Sequence, residues 1–404
     1  MQRNLRDRVD RPQAFPAEEY ATRRRRVREA LAAADIDAVF VTLPADLTYL
    51  TGYDMIWYHL RSLTGVLVRA DTDATVFFDS VSHTTIVSTT PEIGEIVWLG
   101  RTGVDDCIAL IASELAGRGL TGKRVALQRW GHAPHADVMA ALRAALEGAA
   151  MTVVDASFLV EEVRLVKSPL EIEVVRRAAA MADAAMAAAR DAIRPGITET
   201  ALEGVIMGSL MAAGGGYPGI RTMIGSGPRA GTHHSAPTLR QVRQGELVFI
   251  DFCAALHRYH VNLNRTFSLG EPDPRWVTLM DASAGCIDAI VAAIEPGDTM
   301  FKVHQVADDY VDAAGLRPNM WYNGGYTLGI AAPPDWVGVH RTHPTPDAPD
   351  DRPLETGMVF NLENQFDVWE DWPGGSGAAY IETFLMTDTG LEVLSTLPRN
   401  LVVV

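Results

Sequence analysis

One junction limits the fold more than any other feature of this chain. In "VKSPLEIEVVRRAAAMADAAMAAARDAIRPG", Ser168 reads as a helix N-cap, Pro169 as the first helical residue and Glu171 as the partner closing a capping box. The alanine-rich body favours one long helix, and Pro195-Gly196 ends it. Thr200 with Glu203 repeats the capping signature for a second helix that runs out at "GGG", 214–216. The patterns on the two sides of this junction differ in kind.

Before it, helical and strand-like stretches alternate. "YATRRRRVREALAAAD" is helical, and "AVFVTLP", "GVLVRAD", "ATVFFDS" and "EIVWLG" are strand-like. A helix through "DDCIALIASELAGRG", the strand "RVALQ", a helix over 135–148 and the strand "MTVVDA" follow. Such interleaving implies an α/β domain with a mixed sheet, over residues 1–160. After the junction, "RTMIGSG", "ELVFIDFCAAL" and "YHVNLNRTFSL" come in close succession. Two helices (about 274–294 and 300–314) and the strands "MVFNLENQF" and "AAYIETFLMTD" complete the chain. That order describes an α+β domain with a curved antiparallel sheet, over 161–404.

The balance of charge narrows the partners. A net charge of −16 argues against nucleic acid or an anionic membrane, which need a basic surface. The one basic run, "RRRR" at 23–26, reads as the solvated face of an amphipathic helix. No apolar run approaches the ~20 residues needed to span a bilayer, and "MQRNLRDRVDRPQAF" has no apolar signal core. Cys107, Cys253 and Cys286 are far apart and odd in number, which fits a reducing cytoplasm better than a disulfide framework. Cys253 follows Asp251 on a strand and reads as a buried small hydrophobe, not a nucleophile.

Chemistry concentrates in the second half, where polar side chains interrupt apolar strands. Asp251 lies in "VFIDF", Asn262 in "HVNLNRTF", Tyr326 in "GGYTLGIAAPPDW", Glu363 in "VFNLEN" and Glu382 in "YIETFL". A buried carboxylate needs a counter-charge or a proton, so three in such settings, with His233-His234 upstream, suggest one site. The stretch 324–336 has the glycine rhythm of a strand lining that site.

The succession "THHSAP", "FIDF", "NLNRTFSLGEP", "GGYTLG", "LETGMVFNLEN" and "AYIETFLMTDTGLEVLS" resembles the pita-bread family. That family includes methionine aminopeptidase, prolidase, creatinase and ectoine hydrolase. The first half, "YATRRRRVREALAAADIDAVFVTLPADLTYLTGYD", is similar to the creatinase-type N-terminal domain, so the resemblance spans almost the whole chain. By that resemblance, two divalent metals would sit on Asp251, Asn262, Tyr326, Glu363 and Glu382. Asn262 stands where an aspartate is expected, Tyr326 where a histidine is, and Pro333 replaces a further histidine. Those changes imply that metal binding is lost and no cofactor is used; any retained metal would rest on Asp251, Glu363 and Glu382.

The resemblance then implies a metal-independent C–N hydrolase of a small cationic or zwitterionic substrate such as ectoine or creatine. "GYTLGIAAPPDW" is similar to the ectoine hydrolase stretch. His234 would be the acid/base, with Glu363 and Glu382 also catalytic. Asp251, Asn262 and Tyr326 would hold an amidinium or guanidinium group. A homodimer is implied, in which Trp57, Tyr58 and Arg61, close to Tyr53 and His59, approach the partner's pocket. Trp336, Trp369 and Trp372 are candidate pocket walls. The alternative is a metal-dependent Xaa-Pro peptidase with altered ligands.

Overall fold

A computed structural model describes residues 13–55, 63–100, 103–231, 234–345, 351–367 and 377–404. The chain forms two compact units that divide between Arg164 and Leu165.

In the first unit six strands form a sheet in the order β4-β3-β2-β1-β5-β6. They are β1 (Ala38–Val41), β2 (Gly65–Arg69), β3 (Val76–Ser80), β4 (Glu95–Leu99), β5 (Arg124–Leu127) and β6 (Thr152–Asp155). β1–β2 and β2–β3 are antiparallel while the other pairs are parallel, the mixed sheet expected from the alternating pattern. Helices α1 (Ala17–Ala33), α2 (Val104–Leu115) and α3 (Ala136–Gly148) belong to this unit. Leu115, Leu142 and Leu146 pack with Phe40, Leu67 and Phe78 in its core.

The basic run departs from expectation. Arg23 is buried, pairs with Glu19 at 2.9 Å and lies 4.1 Å from the Phe15 ring centroid and 4.7 Å from that of Tyr49. Only part of "RRRR" is a solvated face, because position 23 falls on the apolar stripe with Tyr20, Val27 and Leu31.

In the second unit the capping box at Ser168 and Glu171 is present as read, opening α4 (Pro169–Ala192). The next helix, α5 (Glu199–Ala212), is capped by Thr198, whose side chain accepts from the Ala201 amide, so Thr200 lies inside the helix. An eight-stranded sheet follows the order β10-β11-β12-β9-β8-β7, with two short strands attached to it. The strands are β7 (Met223–Ser226), β8 (Leu247–Leu256), β9 (Tyr259–Ser268), β10 (Met320–Gly324), β11 (Val359–Asp367), β12 (Gly377–Thr387), β13 (Gly390–Val393) and β14 (Val402–Val403). Only the β14–β9 pair is parallel among them.

Alternation along these strands separates two faces. Phe360, Leu362, Phe384 and Met386 pack against α6 (Pro274–Ala293) and α7 (Met300–Ala313), where Cys286, Ile287, Val303 and Ala307 complete the core. α4 covers β8 and β9. The opposite face carries Asp251, Asn262, Asn361 and Glu363.

Candidate active site

Register alone places the polar residues. Asp251 on β8 pairs with Asn264 on β9, and Asn264 in turn faces Ile381 on β12. Ile381 is also directly opposite Glu363 on β11. Asp251, Asn262, Asn361, Glu363 and Ile381 therefore point to the same side of the sheet, away from the helices.

Hydrogen bonds join them. The Asn262 amide Nδ2 donates to Asp251 Oδ1 at 2.7 Å, and Asn361 Nδ2 donates to Asn262 Oδ1 at 2.9 Å. Asn361 Nδ2 also reaches Glu363 Oε1 at 3.3 Å, and Gln365 Nε2 reaches Glu363 Oε2 at 3.3 Å. Asn361 Oδ1 accepts from the Tyr326 backbone amide at 2.8 Å, which ties the 325–332 segment to the sheet. A Cβ on Gly325 would fall 1.9 Å from the Asn361 carbonyl oxygen, so this approach requires glycine.

The stretch 324–336 is not one strand, as its sequence suggested. β10 ends at Gly324, and beyond it only isolated bridges such as Tyr326–Arg341 and Thr327–Phe360 remain. Tyr326 is buried, and its Oη accepts from Trp336 Nε1 at 3.0 Å.

Burial sets the electrostatics. Desolvation, then the Glu363 charge, push the Asp251 carboxyl well above its ordinary range, and Asn262 opposes them only in part. Burial raises Glu363 to about 7, against the stabilising hydroxyl of Tyr326, the Asn361 amide and the charge of Arg341. Arg341, half-buried with its guanidinium 5.9 Å from the Tyr326 ring centroid, was not singled out in the sequence. Asn361 and Gln365 were missed as well. Their spacing around Glu363, at i−2 and i+2 on one strand, was the available signal. Cys253 is buried on this face opposite Asn262, and desolvation holds its thiol well above the usual value, consistent with an unreactive hydrophobe.

Glu382 does not join this group. It pairs across the sheet with Leu362, on the helix-covered face, and accepts from Arg265 Nη2 at 2.7 Å. Arg399 lies 3.9 Å from the same oxygen. Burial raises its pKa to about 7, opposed chiefly by those two arginines; neither Asp251 nor Glu363 enters. The side chain of β12 that meets the site is that of Ile381.

A scan against family models finds two matches, "Metallopeptidase family M24" over residues 173–388 and "Creatinase/Prolidase N-terminal domain" over 23–166. The chain belongs to the M24 family. It is a hydrolase of that family with a creatinase-like N-terminal domain. Among curated relatives, ectoine hydrolase of Halomonas elongata is 28% identical, covering 96% of this chain and 98% of its own. A probable dipeptidase PepE of Mycobacterium tuberculosis is also 28% identical, over 96% and 98% of the two chains. Among solved structures, dipeptidase PepE from Mycobacterium ulcerans superposes with a TM-score of 0.79 at 23% identity, over 96% of this chain and 99% of that one. A prolidase from Thermococcus sibiricus reaches 0.81 at 18% identity, over 95% and 99%. The pita-bread architecture expected from the sequence is thus the one found.

A metallopeptidase family implies metal ions, and the side chains can be tested for them. A pair of divalent cations requires several anionic ligands, usually with an imidazole. This M24 face offers two carboxylates, with an amide at 262, a phenol at 326 and an aliphatic side chain at 381. Among the described residues no three His, Cys, Asp or Glu side chains gather closely enough to hold a metal ion. The donor set does not fit the metals.

The remaining candidates are placed as follows. His234 is exposed, in a left-handed turn (φ 63°) between β7 and β8. Trp336 is buried beside Tyr326. Pro333 is exposed. Trp57, Tyr58, His59, Arg61, His233, Trp369 and Trp372 lie outside the described residues, while Tyr53 is buried and donates to Asp79 at 2.5 Å.

Proposed function

We propose that this M24 protein hydrolyses a non-peptide C–N bond in a small zwitterion bearing an amidine or guanidine group, without a metal. Ectoine, a cyclic amidine, is the first substrate to test. The observation that supports this most is the donor set: Asp251 and Glu363 share a face with Asn262 and Ile381, and Asn361 on that face holds the Tyr326 backbone amide. Two carboxylates suit the planar N–H edges of an amidinium, which they bind bidentately. Arg341 beside Tyr326 supplies a cation for the substrate's own carboxylate.

In this reading Glu363, with its pKa near 7, accepts a proton from water as the oxygen bonds to the amidine carbon. The C–N bond then breaks, and the leaving nitrogen takes a proton from His234. The reading keeps a cytoplasmic homodimer with no cofactor and no nucleic-acid or membrane partner.

The test is turnover of ectoine and creatine by chelator-dialysed protein, followed by NMR. Turnover without added metal, lost in His234→Ala and Glu363→Gln variants that keep the wild-type Tm, is expected. The peptidase relatives favour a second reading, a metal-dependent dipeptidase. Inertness towards both compounds, with manganese-dependent cleavage of Xaa-Pro dipeptides, would establish that reading instead.

A further inference from the structure

Glu199 is a carboxylate that the catalytic reading leaves unused. It is the first residue of α5 and is fully buried. An acid in a first helical turn ordinarily complements the free amides of its own helix. Here Thr198 serves the Ala201 amide instead. Among the described residues, the Glu199 side chain accepts from outside α5. Its Oε1 takes the Ser226 amide at 3.0 Å and the Ser226 hydroxyl at 2.8 Å. Its Oε2 takes the Thr238 amide at 3.0 Å, the Thr238 hydroxyl at 2.7 Å, and Nη1 of Arg229.

Ser226 ends β7, and Thr238 lies on the far side of the turn that leads to β8. One buried carboxylate thus fastens the two ends of that turn to each other. Arg229 doubles the clasp, donating from Nη2 to the Ala236 carbonyl oxygen at 3.0 Å and from Nη1 to Thr238 Oγ1 at 3.1 Å. His234 lies between these anchors. Its φ of 63° is left-handed, a conformation that a residue other than glycine keeps where its surroundings impose it. The turn also runs beside the acidic face. The Ile224 amide donates to the Ser235 carbonyl oxygen at 3.2 Å, and Met223, next to Ile224 on β7, pairs with Asp251.

We infer that Glu199 is a positioning residue: by closing residues 226–229 onto 236–238 it fixes the turn that presents His234 to the leaving nitrogen. The inference rests on His234 being the acid of the proposed reaction. Two variants test it. Glu199→Gln keeps the shape but turns an NH2 group towards hydrogen-bond donors. Thr238→Val removes one hydroxyl from an exposed residue, and serves where the first variant does not fold. With ectoine or creatine as substrate, Glu199→Gln should lower kcat by about 100-fold, the loss expected when a catalytic group is misplaced by about 1 Å. KM should stay the same, because the lost contribution belongs to the chemical step. Thr238→Val should lose less, and Thr238→Ser should restore it. In a His234→Ala background neither variant should lower kcat further. Wild-type kcat in both variants, or losses that add to that of His234→Ala, would overturn the inference.

A second measurement needs no substrate. A positive φ brings the amide hydrogen close to Hα, so His234 should show a strong NOE between them. Protein labelled with 15N,13C-histidine, with His234 assigned by His234→Ala, reports it. The NOE should weaken in Glu199→Gln and in Thr238→Val. An undiminished NOE in both would overturn the inference, whatever the enzyme does with substrate. A His234→Ala protein as active as the wild type would instead sink the proposed role of His234, and leaves the NOE to decide whether Glu199 sets its conformation.

Discussion

Glu382 offers the sharpest test of the site assignment, because sequence and structure give it different work. Its carboxylate is fully buried on the helix side of the sheet and accepts from Arg265, itself almost completely buried. Arg265 otherwise has the Asn264 and Leu397 carbonyl oxygens, at 2.8 and 3.1 Å, and the Ser395 hydroxyl at 3.3 Å. Its guanidinium also lies 5.3 Å from the Tyr380 ring centroid. Glu382→Ala strands this guanidinium, with Arg399 nearby, in the core without a carboxylate. Breaking one side of a buried ion pair costs about 3–5 kcal/mol. For a unit of this size each kcal/mol moves Tm by about 2–4 °C, so the expected fall is about 6–20 °C. Glu382→Gln keeps an acceptor for Arg265 Nη2 and should lose much less. Calorimetry of both variants reads the result. A Glu382→Ala protein that melts within about 2 °C of the wild type but has lost turnover would refute the reasoning and return Glu382 to the chemistry.

Glu363 gives a pH-dependent counterpart. Its folded pKa of about 7 lies above the ordinary 4.5, so folding takes up a proton between those values. The associated stabilisation is complete below 4.5 and is lost as pH rises through 7. The Tm of Glu363→Gln should therefore gain on that of the wild type from about pH 5 to about pH 8, and a constant difference would count against the shift. In the first unit, Arg23→Ala should cost about 3–5 kcal/mol by breaking its buried ion pair with Glu19. Arg25→Ala, which removes an exposed pair with Glu29, should cost about 0.3–0.5 kcal/mol. Similar unfolding curves for the two variants would show that burial of Arg23 carries no energy.

The elements were legible in the sequence because local signals are dense. The capping box at Ser168 and the succession of apolar runs in the second half give α4 and strands β7–β9, β11 and β12. Thr198 and Thr200 show where such signals stop. Two threonines in "ITETALEG" both fit a cap, and the choice falls to the one whose hydroxyl meets the Ala201 amide once the chain is folded. The remaining error, at Glu382, is a matter of one residue. In an extended strand a shift of one exchanges the two faces completely, and "YIETFL" offers nothing local to say which of Ile381 and Glu382 looks toward Asp251. What decides it is pairing with residues far away in the chain, Asn264 and Glu363 opposite Ile381, and Leu362 opposite Glu382. The carboxylate is the more conspicuous chemistry, yet the register assigns it to Arg265 and gives the site an aliphatic side chain. The same register that removes a ligand from the metal set leaves Asp251 and Glu363 held by amides and a phenol.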